Sequence, residues 1–508
     1  MRLRLVLIAC GSALVLTGAV GAHPAKPPRP KHHKRAHPVH KTHKPAPPPA
    51  PPPLSPVVRE NELPGTPGWL GPIATSRAAE LYASATDAIP GETIALHVSV
   101  GDEARYRIIV YRLGWYGGIG ARQVACLPGC DDSERGTLQP VPEHETVGRG
   151  LVAGWPTTDT LKVDDNWVSG YYLVRVLLLS GAQTGNSATT YVVVNQPDSM
   201  SRMLVQVPVT TWQAYNGWGG RSLYDMPGLG RRANHVSFDR PYWWSGPGGQ
   251  GPLGWELPFV RFIEEHGYDV SYQSDVYTDA HPDSLLHHKL VAVAGHDEYW
   301  TGTMRDAFDA ARDQGEVNLA FMGANDGYWQ IKLQDADRTI VAYKSMSDPE
   351  PDVRAKTAMF REVGRRECEL LGIQHQGASP LNWPPGDYTV PAAAADDPWL
   401  HGTGFEPGAV VEGIVSVESD TIPGTETAGA SCGHSLTVLF HREHGGDKDG
   451  NADAIRYTNF NGAIVFASGS HQFSWGLDDF ATDPDEGHGY ADPRLQKFMS
   501  NALDAMTK

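Results

Sequence analysis

The hydrophobic periodicity of the chain changes character near Ser201, and that change constrains the fold more than any other feature. From about Pro56 to Pro197 the apolar residues recur every second position, as in Thr93-Ile-Ala-Leu-His-Val-Ser-Val100, Tyr106-Arg-Ile-Ile-Val-Tyr111 and Tyr171-Tyr-Leu-Val-Arg-Val-Leu177. Clusters of Gly, Pro and Asp separate these runs, and no helical repeat intervenes. Side chains alternate across a strand, so this pattern predicts an all-β, antiparallel sandwich of immunoglobulin-like architecture over residues 57–197.

Beyond Ser201 short, continuously apolar runs alternate with helical repeats. Met203–Val207, Asp269–Tyr272, Leu290–Ala294 and Val317–Phe321 read as buried strands. Leu257–His266 reads as a helix stopped by Gly267, and Thr303 with Asp306 as a capping box opening another that ends near Gly315. Leu436–Phe440 and Ile464–Ala467 are expected to extend the sheet. This grammar predicts an α/β domain over 198–508, with a mostly parallel, three-layer, amidotransferase-like sheet.

The ends carry different signals. Met1-Arg-Leu-Arg4 followed by the apolar run Leu5–Ala22 has the form of a signal peptide, with small residues at Val20-Gly-Ala22 for cleavage, or else of an uncleaved anchor. Residues 23–56 are almost all Pro, His, Lys and Ala, a composition that cannot bury a core and predicts an extended, disordered linker. The expected location is therefore secreted or cell-surface. The net charge is −17 although that linker is basic, which argues against a nucleic-acid surface. In an exported chain the four cysteines beyond the leader pair most simply as Cys126–Cys130 and Cys368–Cys432. A Cys-x3-Cys zinc half-site is the alternative at Cys126 and Cys130, but it lacks partners at zinc spacing.

In an α/β sheet, ligands sit beyond the carboxyl ends of the parallel strands. Three such segments crowd glycines with polar and aromatic residues: Thr210–Tyr224, Gly295-His-Asp-Glu-Tyr-Trp300 and Gly323-Ala-Asn-Asp-Gly-Tyr-Trp329. Nucleophilic amidotransfer would need a Cys or Ser on the turn after Phe321, and none is there. Gly429-Ala-Ser-Cys-Gly433 resembles a nucleophile elbow but lacks the strand before it and the helix after it. The acidic run Asp447–Asp453 lacks the closing glutamate of a calcium loop and reads as a solvated turn.

Taken together, Arg112-Leu-Gly-Trp-Tyr-Gly-Gly118, Ala214-Tyr-Asn216, Gly219-Gly-Arg-Ser-Leu-Tyr224, Ser237-Phe-Asp-Arg-Pro-Tyr242, Gly295–Trp300 and Ser474-Trp-Gly-Leu477 resemble the large-subunit family of N,N-dimethylformamidase, from about residue 80 onward. The resemblance implies a mononuclear ferric ion on Tyr215, Tyr224 and Glu298, with Tyr242 the alternative second tyrosine. It implies His296 and Asn325 as catalytic residues assisting amide hydrolysis. Phenolates and a carboxylate are hard donors suited to a hard cation, and three protein ligands leave room for water and a carbonyl. Structural readings stand beside these roles. In these the tyrosines form a packed, sugar-stacking surface, Glu298 pairs with Arg305, and Asn325 serves only as a turn residue. The expected function is an exported, metal-dependent hydrolase of a non-peptide amide C–N bond. The alternatives are a non-catalytic protein that binds cell-wall glycan and an inert ectodomain. Expected partners are a small-molecule amide or wall-derived substrate and a second copy of the chain, with no nucleic acid and no sign of a small partner subunit.

Overall fold

Ser55 caps a short helix, α1 (Pro56–Asn61), through a 3.3 Å hydrogen bond from Val58 N to its Oγ. Pro56 occupies a position where its missing N–H has no partner to lose. Six residues are too few to show a 3.6-residue repeat, so periodicity misses this helix. The computed structural model describes residues 55–143, 148–225, 231–243, 254–375, 385–415, 418–423, 430–443, 451–480 and 490–508. The expected leader, nearly all of the expected linker, most of the acidic run and Gly429 lie outside them.

Seven strands follow: β1 (Ala79–Ala83), β2 (Thr93–Val100), β3 (Arg105–Leu113), β4 (Ala121–Leu127), β5 (Asp159–Lys162), β6 (Gly170–Leu178) and β7 (Ser187–Val194). β1, β2 and β5 form one antiparallel sheet, and β7, β6, β3 and β4 run in that order in a second. The two sheets share a core: Ile108 and Val110 of β3 pack with Leu96 and Val98 of β2. The intervening Ile109 and Tyr111 join a different core, with Val205 and Trp212. Strand β3 is thus buried on both faces, which is why Ile-Ile-Val-Tyr reads as an unbroken apolar run.

Nine further strands are β8 (Met203–Val207), β9 (Val270–Ser274), β10 (Leu290–Val293), β11 (Asn318–Phe321), β12 (Gly386–Thr389), β13 (Val410–Val415), β14 (Thr437–Arg442), β15 (Ala452–Thr458) and β16 (Ile464–Ala467). They form one nine-stranded sheet in the order β9-β8-β10-β11-β16-β15-β14-β12-β13. The first five run parallel and the rest pair antiparallel, so the sheet is mixed rather than mostly parallel. The turn Asn459–Ala463 between β15 and β16 explains the switch, because parallel neighbours need a crossover of roughly a dozen residues.

Both sheet faces are covered, giving a mixed α/β molecule. Leu204, Val291, Val293, Leu319 and Phe321 meet Met304, Ala307, Phe308 and Ala311 of a helix spanning Gly302–Asp313. Met203, Val205, Ala292 and Ala320 face the core shared with β3 and with the C-terminal helix Pro493–Met506. Each fully buried Val or Leu side chain contributes ~1.5–3 kcal/mol. The helix Gly302–Asp313 corrects one expectation. Its cap is Thr301, extended and accepting from Met304 N at 3.0 Å, while Thr303 lies inside the first turn. The helix starts two residues earlier because Thr301 still belongs to the short strand Tyr299–Thr301.

Candidate metal centre

Four of the five parallel strands deliver the chemistry at their carboxyl ends. Beyond β8, a helix spanning Val209–Tyr215 ends on Tyr215, and the following loop returns with Tyr224. Beyond β10 comes Gly295-His-Asp-Glu298, beyond β11 Gly323-Ala-Asn325, and beyond β16 Gly469-Ser-His471. Two of these loops touch backbone to backbone: a Cβ on Gly323 would fall 1.8 Å from the Gly295 carbonyl oxygen, so neither loop can approach the other with a side chain there.

Three oxygens converge. The Tyr215 hydroxyl donates to Glu298 Oε2 at 2.8 Å, and the Tyr224 hydroxyl lies 2.8 Å from that of Tyr215 and 2.8 and 2.9 Å from the two Glu298 oxygens. The rings stack with centroids 4.3 Å apart. The Tyr299 hydroxyl lies 2.6 Å from that of Tyr224, and Lys344 Nζ donates to Tyr299 at 2.9 Å. Burial, then the Glu298 charge, pushes both Tyr215 and Tyr224 well above the usual ~10 for a phenol. Burial, then Glu418, raises Glu298. Two phenols whose protons lie between one another and a shared carboxylate fit a cation that would take the place of those protons.

His296, fully enclosed, stands 3.5 Å from Glu298 Oε2 and 3.3 Å from Glu418 Oε2, yet neither ring nitrogen makes an aligned hydrogen bond. The His471 ring packs against it, tilted by 42° with centroids 4.1 Å apart, and lies 3.6 Å from the same Glu418 oxygen. One ligand atom from each of His296, Glu418 and His471 falls within 4.8 Å of the others, a second set able to hold a metal. Burial pulls His296 down, but Glu418 and then Glu298 outweigh it and the net shift is upward. Burial acts against the Glu418 charge, yet His296, His471 and His375 hold its carboxyl far below the ordinary range. Burial, then His296, drives His471 well below its usual value, and its Nε2 lies 3.0 Å from the Ala324 carbonyl.

Asn325 has φ +58°, and its backbone N–H reaches Asp420 at 2.9 Å, so its role as a turn residue is real. Its Nδ2 also donates to Glu418 Oε2 at 2.7 Å, while its Oδ1 is buried without a partner. Tyr242, the alternative second tyrosine, lines a different cleft with Trp218 and Trp243. Arg305 pairs with Asp309 rather than with Glu298. Sequence reasoning missed Glu418, His471, Tyr299 and Lys344. His471 lies just past a strand already recognised, so the strand-end rule would have reached it. Glu418 and Lys344 lie in loops without periodicity.

Residues 107–490 match the family model described as N,N-dimethylformamidase beta subunit-like, C-terminal. No curated protein matches the chain. Among solved structures, domain 1 of VCBP3 from Branchiostoma floridae is similar at 16% identity over 23% of this chain and 93% of that one, with a TM-score of 0.15.

Proposed function

The chain belongs to the N,N-dimethylformamidase beta subunit-like family, and on that footing we propose that it hydrolyses a non-peptide amide C–N bond at a metal ion held by Tyr215, Tyr224 and Glu298. The observation that carries this reading is the meeting of three hard oxygen donors from separate loops within 2.8–2.9 Å. Ferric iron suits such a set, and when bound it would polarise the amide carbonyl and acidify water.

The chain's own groups supply the proton handling. Glu418, kept ionised, favours a proton on His296, which can pass it to the leaving amine. Asn325 holds Glu418 with one Nδ2 hydrogen and has a second for a developing oxyanion. His471 limits rotation of the His296 ring, and Trp255, 5.0 Å from His471 and 6.1 Å from His296, shields both from water.

We also read residues 57–197 as an immunoglobulin-like sandwich, residues 198–508 as an amidotransferase-like domain, and the whole as exported. Two disulfides, Cys126–Cys130 and Cys368–Cys432, are compatible with an oxidising compartment. Among the described residues no helix is long and apolar enough to cross a membrane.

Metal content and the visible spectrum of the purified protein test the reading, together with hydrolysis of a panel of small amides. A tyrosinate-to-iron absorption band that Tyr215→Phe weakens or shifts, leaving what Tyr224 contributes, is expected. A protein that takes up no metal, or keeps its metal and band unchanged in Tyr215→Phe, overturns the assignment.

A further inference from the structure

A cleft of about 410 Å³ lies away from the centre, between the first strands of the β half and the loop that follows Tyr215. That volume is within the ~300–1,000 Å³ usual for small-ligand sites. Arg77 and Glu80 form one wall, Thr189 the second, and Trp218, Tyr242 and Trp243 the third.

The cleft is built rather than incidental. Trp218 is 5% exposed, fixed edge-on against Trp155 at 5.7 Å, and its Nε1 donates to Glu80 Oε1 at 2.8 Å. Arg77 Nε donates to Glu80 Oε2 at 2.9 Å, and its Nη2 reaches the Gln139 carbonyl at 2.7 Å. Ser76 and Arg77 both adopt left-handed backbone, φ +51° and +61°, a conformation costing ~1–3 kcal/mol per residue without glycine. Trp243 is 39% exposed, although its backbone N–H is pinned to Asn216 Oδ1 at 2.9 Å. A large aromatic face is therefore held open to solvent beside an oriented carboxylate.

Each Glu80 oxygen uses one lone pair on a protein donor and keeps another for an incoming hydroxyl. A flat apolar face next to two directed acceptors suits a sugar ring, whose C–H face stacks on an indole while its hydroxyls donate. A purely apolar ligand would make no use of the remaining Glu80 lone pairs. A chain with net charge −17 disfavours an anionic polymer. We propose that the cleft formed by Glu80, Trp218, Tyr242 and Trp243 is a binding site for a pyranose unit of a neutral polysaccharide. It is independent of the metal centre and stands whether or not that centre turns over amides.

Affinity electrophoresis of the purified full chain through gels containing laminarin, mannan, xylan or arabinogalactan tests this, with polygalacturonate as the anionic control. Retardation by at least one neutral polymer is expected, with quenching of tryptophan emission. Trp243→Ala, checked for folding by a melting temperature that should match the parent's, should weaken binding by about tenfold or more. Thr189→Val should weaken it less. Tyr215→Phe should leave binding intact, which separates this site from the hydrolytic one. No retardation by any neutral polymer, retardation by polygalacturonate alone, or binding unchanged in Trp243→Ala would each overturn the proposal.

Discussion

The ammonium nitrogen of Lys344 rests 3.5 Å from the centre of the Tyr224 ring while donating to the Tyr299 hydroxyl at 2.9 Å. A buried cation on the face of a phenol proposed to bind metal lowers the energy of its anionic form and of its donor orbital. Lys344→Met is expected to shift any tyrosinate absorption band to longer wavelength and to weaken metal binding by about 10–100-fold, as loss of an outer-shell partner does. Spectra across a metal titration check both. An unmoved band would show that Lys344 serves packing alone.

Arg112 of the β half meets Glu264 of the α/β half at 2.8 and 3.1 Å, with both side chains fully buried. Asn61 and Tyr272 complete the carboxylate's partners at 2.7 and 2.8 Å. Removing one member strands the other, so Arg112→Met should cost about 3–5 kcal/mol in urea unfolding. Arg112→Met combined with Glu264→Leu should recover much of that loss.

Glu256 is 1% exposed, accepts from Trp212 Nε1 at 3.0 Å, and has its other oxygen unpaired. Burial pushes its carboxyl from 4.5 up to about 7. Its folded value lies above its unfolded one, so its contribution to stability is full below about pH 4.5 and is lost as pH rises through about 7. At ~1.4 kcal/mol per unit, the loss approaches 3 kcal/mol. Glu256→Gln should therefore exceed the parent in stability by about 2–3 kcal/mol at pH 8 and converge with it toward pH 4.5. Unfolding free energies measured over that range decide the matter.

Cys368 and Cys432 close a loop with a sequence separation of 64, whereas Cys126 and Cys130 are separated by 4. Loop-closure entropy assigns about 4 kcal/mol to the longer loop and far less to the shorter one. Cys432→Ser should lower the melting temperature markedly, and Cys130→Ser only slightly. Scanning calorimetry under non-reducing conditions compares them.

Much of this architecture is legible in the residues, and what is not has a physical reason. Met203–Val207 and Ile464–Ala467 match their strands end to end, because a strand buried on both faces is mostly apolar, with Gln206 bonded to Asp297 as the exception. The sheet's change of direction after β16 is invisible to periodicity, since strand polarity leaves no mark on apolar spacing. It resides in the length of the turn at Asn459–Ala463. At the centre, Tyr215, Tyr224, Glu298, His296 and Asn325 stand in glycine-rich strand-end loops that announce themselves. Glu418 follows β13 in an aperiodic stretch, and only tertiary packing brings it 3.3 Å from His296. Lys344, at φ +53° in a turn, carries no local sign that its ammonium folds back over a tyrosine.

The groups that converge at the centre are drawn from positions 215 to 471 and from the ends of strands that lie side by side only in the finished sheet. The three proposed ligands span only positions 215 to 298, so a cation held by them would load once β8 and β10 lie side by side, with Glu418 and His471 closing around it afterwards. During biogenesis the ion would then act as an early tie between two neighbouring strands, one that a chain interrupted before Glu298 could not form.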